Sequence, residues 1–141
     1  MNTYLSMPIT EADIKLVVAC ALVDIDGRVL VVKRPPGKPM AGLWEFPGGK
    51  VEKGERPEQA LIRELKEEIS IDVTANCLAP LTFASHSYDD FHLLMPLYVC
   101  RKWDGHIALN EATDSKWLKP NEMRSLDMPE ADVPLIAMLR D

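Results

Sequence analysis

The chain is short of cysteine and of basic charge, and each shortage removes a class of protein. Its three cysteines, Cys20, Cys77 and Cys100, are odd in number, far apart and set in apolar or strand-like sequence. With no CxxC pair, no even disulfide framework can be drawn, and the thiols read as reduced core residues of a cytoplasmic protein. No stretch approaches the roughly 18 apolar residues of a membrane span, and Met1 to Ile14 lacks the basic segment and apolar run of an export signal. Basic residues are outnumbered, 16 Lys and Arg against 22 Asp and Glu, for a net charge of −6. This argues against a nucleic-acid partner held by a broad basic face. A phosphate-bearing substrate would also be repelled unless metal ions came with it. Internal repeats and Gly/Ser/Pro linkers are lacking too. What is present, 47% hydrophobic residues, suffices for one core, since a chain of this length buries roughly two thirds of its unfolded surface. One domain over residues 1–141 is expected, with residues 1–13 as a short N-terminal extension.

Lys15 to Asp24 and Arg28 to Arg34 are β-branched and apolar, and Asp26-Gly27 between them is a short-turn signal, so they predict a β-hairpin buried on both faces. Pro35 to Leu43 is too rich in Pro and Gly for regular structure. Trp44-Glu45-Phe46 predicts a short strand ending at Pro47-Gly48-Gly49. From Pro57 to Ile69 the apolar Leu61, Leu65 and Ile69 recur every four positions, and Pro57 suits the first helical position. Strands are expected at Leu78 to His86, Phe91 to Trp103 and Ser115 to Leu118, a helical turn at Pro120 to Met123, and an amphipathic helix from Glu130 to Arg140. The order gives an α/β fold with helices packed on a mixed sheet.

The informative stretch is Gly48 to Ile71. On the predicted helix Glu64, Glu67 and Glu68 share one face while Leu61, Leu65 and Ile69 share the other. Like charges at those spacings repel, whereas a hard divalent cation such as Mg²⁺ wants oxygen ligands facing a substrate phosphate. The plainer alternative is a solvated acidic face. Arg63 stands four residues before Glu67, and Glu55 precedes the helix, where it can meet the dipole or reach Arg63. Gly48-Gly49 gives a backbone that ligands can approach closely, or else a plain tight turn. The three histidines, His86, His92 and His106, are too scattered for a zinc site.

These residues resemble a known pattern. Gly49, five residues, Glu55, seven residues, then Arg63-Glu64-Leu65, Glu67-Glu68 and a final apolar Ile71 are similar to the Nudix box, G-x5-E-x7-R-E-U-x-E-E-x-G-U. The resemblance extends to PPGKPMAGLWEFPGGKVE, to SHSYDDFHLLMPLYVC and to MPEADVPLI, which look like the MutT branch of that family, the bacterial 8-oxo-dGTP diphosphatases. It implies an α/β/α sandwich around a central mixed sheet and hydrolysis of a nucleoside diphosphate linked to another group. One position departs: Ser70 stands where the box has Gly. A non-Gly residue held at positive φ costs on the order of 1 kcal/mol, which bears on the helix end and leaves the upstream carboxylates in place.

Carried over by position, the resemblance implies metal ligation by Glu64, Glu67, Glu68 and the Gly48 carbonyl, with Arg63 and Glu55 orienting them. Glu111 occupies the place of a further carboxylate, although a solvated loop glutamate is the alternative. The cofactor implied is Mg²⁺, with Mn²⁺ able to substitute. Glu64 is favoured as general base, with Glu67 and Glu111 as alternatives. Arg34 matches a position that meets the nucleotide, the alternative being a strand-end basic residue in water, with Lys33 and Lys38 as further phosphate candidates and Gly49 close to the substrate. Asp132 matches the place of an Asn or Asp against the purine edge. An Asp there needs a donor on the base or must itself be protonated. Phe83 or Phe91 could stack on the base or belong to the core.

Three function classes follow. The first is a Mg²⁺-dependent pyrophosphohydrolase acting on 8-oxo-dGTP, with CTP, dCTP or dihydroneopterin triphosphate as other substrates. The second is a non-catalytic nucleotide-binding module, which the full set of box carboxylates disfavours. The third, an acidic metal buffer, leaves Gly49, Pro57 and Arg63 unexplained. The expected partner is a small nucleotide, with no nucleic acid and no membrane, and the expected state is a monomer or weak homodimer.

Overall fold

A computed structural model describes residues 13–140. Within them the order is β1 (Asp13–Leu22), β2 (Val29–Lys33), β3 (Trp44–Glu45), β4 (Gly48–Lys50), α1 (Pro57–Ile69), a 3-10 turn (Ala75–Cys77), β5 (Ala79–Ser87), β6 (Phe91–Cys100), β7 (Ser115–Leu118), a second 3-10 turn (Pro120–Ser125) and α2 (Leu135–Leu139). Of the expected N-terminal extension, residues 1–12 lie outside the described part, while Asp13 already pairs with Phe91 in a sheet. No helix among the described residues is long and apolar enough to cross a membrane.

The strands form two sheets. One is mixed, in the order β4-β1-β6-β5, with β1 parallel to β6 and antiparallel to β4. The other is antiparallel, in the order β3-β2-β7. The expected hairpin of β1 and β2 is thus corrected. The turn forms, with Gly27 at φ 79° and the Asp24 carboxylate accepting from the N–H groups of Asp26 at 2.9 Å and Arg28 at 2.8 Å. Beyond a single bridge, Val23 to Val29, the strands part. Both edges of β1 are taken by β4 and β6, which leaves β2 to pair elsewhere. Turn chemistry is local, but the choice of strand partner is set by tertiary packing.

Alternation on these strands builds two cores. Val18, Cys20 and Leu22 of β1 and Leu30 and Val32 of β2 meet Ala60, Leu61, Leu65 and Ile69 of α1. On the other face Ala19, Ala21, Val29 and Val31 meet Met123, Met128, Leu135 and Ile136. This is the expected layering of helix, sheets and helix. Cys20 and Cys100 are buried, as expected of core residues, while Cys77 is only half-buried.

Helix α1 has the predicted bounds. Pro57 starts it, where a missing N–H breaks no helical bond, and the Gln59 side chain accepts from the Arg56 N–H at 2.9 Å. It ends at Ser70, in the left-handed conformation with φ 66° and ψ 25°. The expected C-terminal helix is shorter than predicted. Turns with three-residue spacing run from Pro129 to Ile136, and α2 begins only after Pro134, which has no N–H to continue a longer helix.

Candidate active site

Strand β4 and the exposed side of α1 bring the acidic residues together. Residues 48 and 49 run beside Ala19 and Val18 of β1. A methyl group on Gly48 would strike the Val18 carbonyl oxygen, and one on Gly49 would strike the Glu64 carboxylate. At Gly48 the obstacle is backbone, so only glycine lets the strand lie this close to β1, whereas at Gly49 the Glu64 carboxylate would have to shift from its place.

Arg63 is the hub. Its Nε and Nη2 donate to the two oxygens of Glu55 at 2.8 and 2.9 Å, a bidentate pair. Nη1 donates to Glu64 at 2.9 Å and to Glu67 at 3.3 Å, and Nη2 also reaches the Lys50 carbonyl at 3.1 Å. The hydrogen bonds from Arg63, joined by the Glu52 N–H at 2.9 Å, hold the Glu55 carboxyl down to about 2. Arg63 in turn is held more firmly protonated, chiefly by Glu55.

One turn on, the balance reverses. Glu68 is pushed up to about 8 by burial, opposed by the Gly48 N–H at 3.1 Å and reinforced by Glu64, Glu45 and Glu111. Glu64 is also raised by burial, against the pull of Arg63. These carboxylates open onto a cavity of about 410 Å³ whose lining includes Gly48, Gly49, Glu64, Glu68 and Glu111 together with Arg34, Glu45 and Asp132. Among the described residues Asp132 is the one charged residue of the buried set, 4% exposed. Burial, and after it the charge of Glu45, pushes its carboxyl up to about 7.

The cavity therefore gathers Gly48, Gly49, Glu64, Glu68, Glu111, Arg34 and Asp132 from the sequence prediction, with Lys33 and Lys38 beside them. Glu67 stands at its margin, with 59% of its side chain exposed, and Glu55 and Arg63 act through Glu64 rather than lining the space. Phe83 is corrected. It lies on edge strand β5 at 63% exposure, neither in the core nor along the cavity, because the inward position of that strand falls to Ala84. Phe91 packs against the core beside Tyr88. Met95 and Phe46 are among the apolar residues that line the cavity instead.

Sequence reasoning misses Glu45. Burial raises its carboxyl, and the Arg34 Nη1 at 2.8 Å opposes the shift. Arg34 also donates through Nε to the Pro39 carbonyl at 2.8 Å, tying the Pro35 to Leu43 loop to the cavity wall. The available signal is a carboxylate between two aromatics on a short strand, where burial of one face obliges a charged partner nearby.

The donor chemistry suits a hard divalent cation. Half-buried carboxylates crowd together with too few cationic partners, and the carbonyl of a close-packed glycine strand lies beside them. Among the described residues no three His, Cys, Asp or Glu groups close on one point as a cage. An open set of this kind fits an ion that keeps water and shares its ligands with a substrate phosphate.

A profile of the NUDIX domain matches residues 18–138. An 8-oxo-dGTP diphosphatase of Proteus vulgaris is 42% identical over 103 residues, covering 72% of this chain and 86% of that protein. A CTP pyrophosphohydrolase of Escherichia coli is 36% identical over 121 residues, covering 84% of this chain and 87% of that protein. The solution structure of the E. coli ORF135 protein superposes with a TM-score of 0.80 at 30% identity, covering 94% of this chain and 92% of that one. With Gly49, Glu64 and Glu68 of the box lining one cavity, Glu55 and Arg63 tied to Glu64 behind them, and the family profile spanning both sheets and α1, the chain belongs to the Nudix family.

Proposed function

We propose that this protein is a Mg²⁺-dependent nucleoside triphosphate pyrophosphohydrolase of the MutT kind, converting 8-oxo-dGTP to 8-oxo-dGMP and pyrophosphate and so keeping an oxidised precursor out of DNA. The observation that carries the proposal is the single cavity lined by Glu64, Glu68 and Glu111 and also by Arg34, Glu45 and Asp132. A cation site and a polar slot for a base then share one space of a size suited to a nucleotide.

Glu64, Glu67, Glu68, Glu111 and the Gly48 carbonyl would hold the ion. Bound there, Mg²⁺ or Mn²⁺ would neutralise triphosphate charge and acidify a water. Glu55 fixes Arg63, and Arg63 fixes the orientation of Glu64 and Glu67. Glu64, raised by burial, takes the proton of the attacking water. The water oxygen joins phosphorus, and pyrophosphate leaves from the nucleoside monophosphate. Arg34, Lys33 and Lys38 meet the phosphates, and Gly49 lets them approach the strand. A cytoplasmic single domain, monomeric or weakly dimeric, would suffice, with neither nucleic acid nor membrane as partner.

Asp132 is the group we assign to the base. A carboxyl near 7 is populated in both forms at neutral pH. Protonated, it donates and accepts, which complements the O6 acceptor and N7–H donor of 8-oxoguanine. Guanine presents two acceptors at that edge. Ionised, it only accepts, which suits the exocyclic amine of cytosine. That second form supports CTP or dCTP as the alternative substrate, the activity named for the E. coli relative. Measuring kcat/KM for 8-oxo-dGTP, dGTP and dCTP decides between them. The proposal expects 8-oxo-dGTP to exceed both by about 100-fold. Equal values would sink nucleotide sanitation, and a preference for dCTP would move the assignment to the pyrimidine.

A further inference from the structure

The C-terminus of α1 is finished by a different part of the chain. The last helical carbonyls have no partner within a helix, and here the segment from Ala108 to Asn110 supplies three of them. The Ala108 N–H donates to Ile69 O at 3.0 Å, the Asn110 N–H to Glu68 O at 3.0 Å, and the Asn110 side-chain Nδ2 to Glu67 O at 2.7 Å. Lys66 O is met by the Ser70 N–H at 3.1 Å.

Ser70 closes the circuit. Its Oγ accepts from Asn110 Nδ2 at 2.9 Å and donates to the Ala108 carbonyl at 3.3 Å. A glycine at this position would adopt the same left-handed conformation without strain, but it could make neither bond. The departure from the box is thus one half of a two-residue clasp. The carbonyls it holds belong to Glu67 and Glu68, and the residue immediately after Asn110 is Glu111, which lines the cavity with Glu64 and Glu68.

We infer that Ser70 and Asn110 are positioning residues that set Glu111 against the helix carboxylates, so that the cation site of this chain is assembled from helix and loop as one unit. The inference rests on the proposed cation site and extends it to residues outside the box. Asn110 acts through Glu111 and through the carbonyls of Glu67 and Glu68, and touches no substrate itself. Both amide hydrogens of Asn110 are used, so alanine at this site removes the tie to Ser70 and unpairs the Glu67 carbonyl together, leaving the loop on its two backbone bonds.

The test compares wild type, Asn110→Ala, Ser70→Ala and Ser70→Gly by three readouts: amide hydrogen exchange over residues 108–112, Mn²⁺ binding to nucleotide-free protein, and Mg²⁺ activation of hydrolysis. Asn110→Ala should speed exchange at Ala108 and Asn110 at least tenfold, weaken Mn²⁺ binding about tenfold and lower kcat by a similar factor, with KM for the nucleotide within twofold. Ser70→Gly separates positioning from stability. It relieves the left-handed strain, so Tm should hold or rise, while Mn²⁺ binding weakens about threefold. Ser70→Ala should weaken Mn²⁺ binding to the same degree with a lower Tm. Unchanged Mn²⁺ affinity in Asn110→Ala, or losses that follow Tm alone across the three variants, would overturn the inference. A wild type that binds no Mn²⁺ would overturn it together with the cation site. A wild type that binds Mn²⁺ with these variant effects, yet hydrolyses none of the nucleotides, would contradict the proposed activity and leave the clasp standing.

Discussion

Glu55 and Glu68 are the same amino acid at the two ends of one helix, and the fold treats their charges in opposite ways. Glu55, just before α1, is gripped by both arms of Arg63 and held ionised down to about 2. Glu68, in the last turn, is half-buried with one N–H for company and pushed up to about 8. At the first end the protein supplies its own cation. At the second it concentrates carboxylates and leaves them under-compensated, which lowers stability unless an external ion completes the site. The net charge of −6 is therefore unevenly placed. The part facing the cavity is the part a metal-loaded nucleotide would neutralise.

The largest effect expected from breaking this comparison is at the under-compensated end. Glu64→Gln and Glu68→Gln should each lower kcat by about 10³-fold or more in steady-state assays with Mg²⁺. Glu68→Gln should at the same time raise Tm in metal-free buffer at pH 8, since it removes a poorly compensated, half-buried charge. A fall in Tm there would place the burden of Glu68 on folding instead.

Arg63→Ala attacks the other end. With Glu55 and Glu64 left unpaired, we expect kcat to fall about 10- to 100-fold and the urea midpoint to shift to lower concentration. Activity and stability thus fall together here and move apart at Glu68.

The pH dependence sharpens the contrast. Glu68 and Asp132 bind protons more tightly when folded, so metal-free stability should decline as pH rises, from 4.5 to about 8 for Glu68 and from 3.8 to about 7 for Asp132. Glu55 binds its proton less tightly when folded. Its contribution is complete above 4.5 and lost as pH falls toward about 2. Urea midpoints from pH 3 to pH 9, without and with Mg²⁺, should show the alkaline decline flattened by the ion and by Glu68→Gln, with the acid limb unchanged. The smallest effect is on selectivity. The ratio of kcat/KM for 8-oxo-dGTP over dCTP should fall severalfold between pH 6 and pH 8 in wild type, and Asp132→Asn should make it independent of pH.

Much of the fold and of the site is legible in the sequence because it is periodic or local. The four-residue recurrence of Leu61, Leu65 and Ile69 with Pro57 ahead marks the bounds of α1, and the same spacing places Glu64, Glu67 and Glu68 on one side. The departure at Ser70 is visible too, along with its positive φ, but the clasp with Asn110 is not, since the two residues lie 40 positions apart. Strand partners escape for a similar reason. Asp26-Gly27 announces a turn, yet whether β1 and β2 pair depends on β4 and β6 occupying the edges of β1. Pro47-Gly48-Gly49 reads as the end of a strand, and Gly48–Lys50 is instead a strand that glycine at position 48 brings against the backbone of β1. Glu45 and Phe83 show the limit most plainly. Their types suggest surface and stacking, and register alone turns the first toward the cavity and the second to solvent.

The central claim is that the crowded carboxylates of this cavity serve a cation-assisted cleavage of a nucleoside triphosphate. Phosphorus-31 NMR of 8-oxo-dGTP incubated with wild type and with Glu68→Gln, each with and without Mg²⁺, tests it most directly. Wild type with Mg²⁺ should give monophosphate and pyrophosphate in equal amounts, with negligible turnover in the other three samples. Release of orthophosphate with a nucleoside diphosphate, turnover without a divalent ion, or full activity of Glu68→Gln would contradict it.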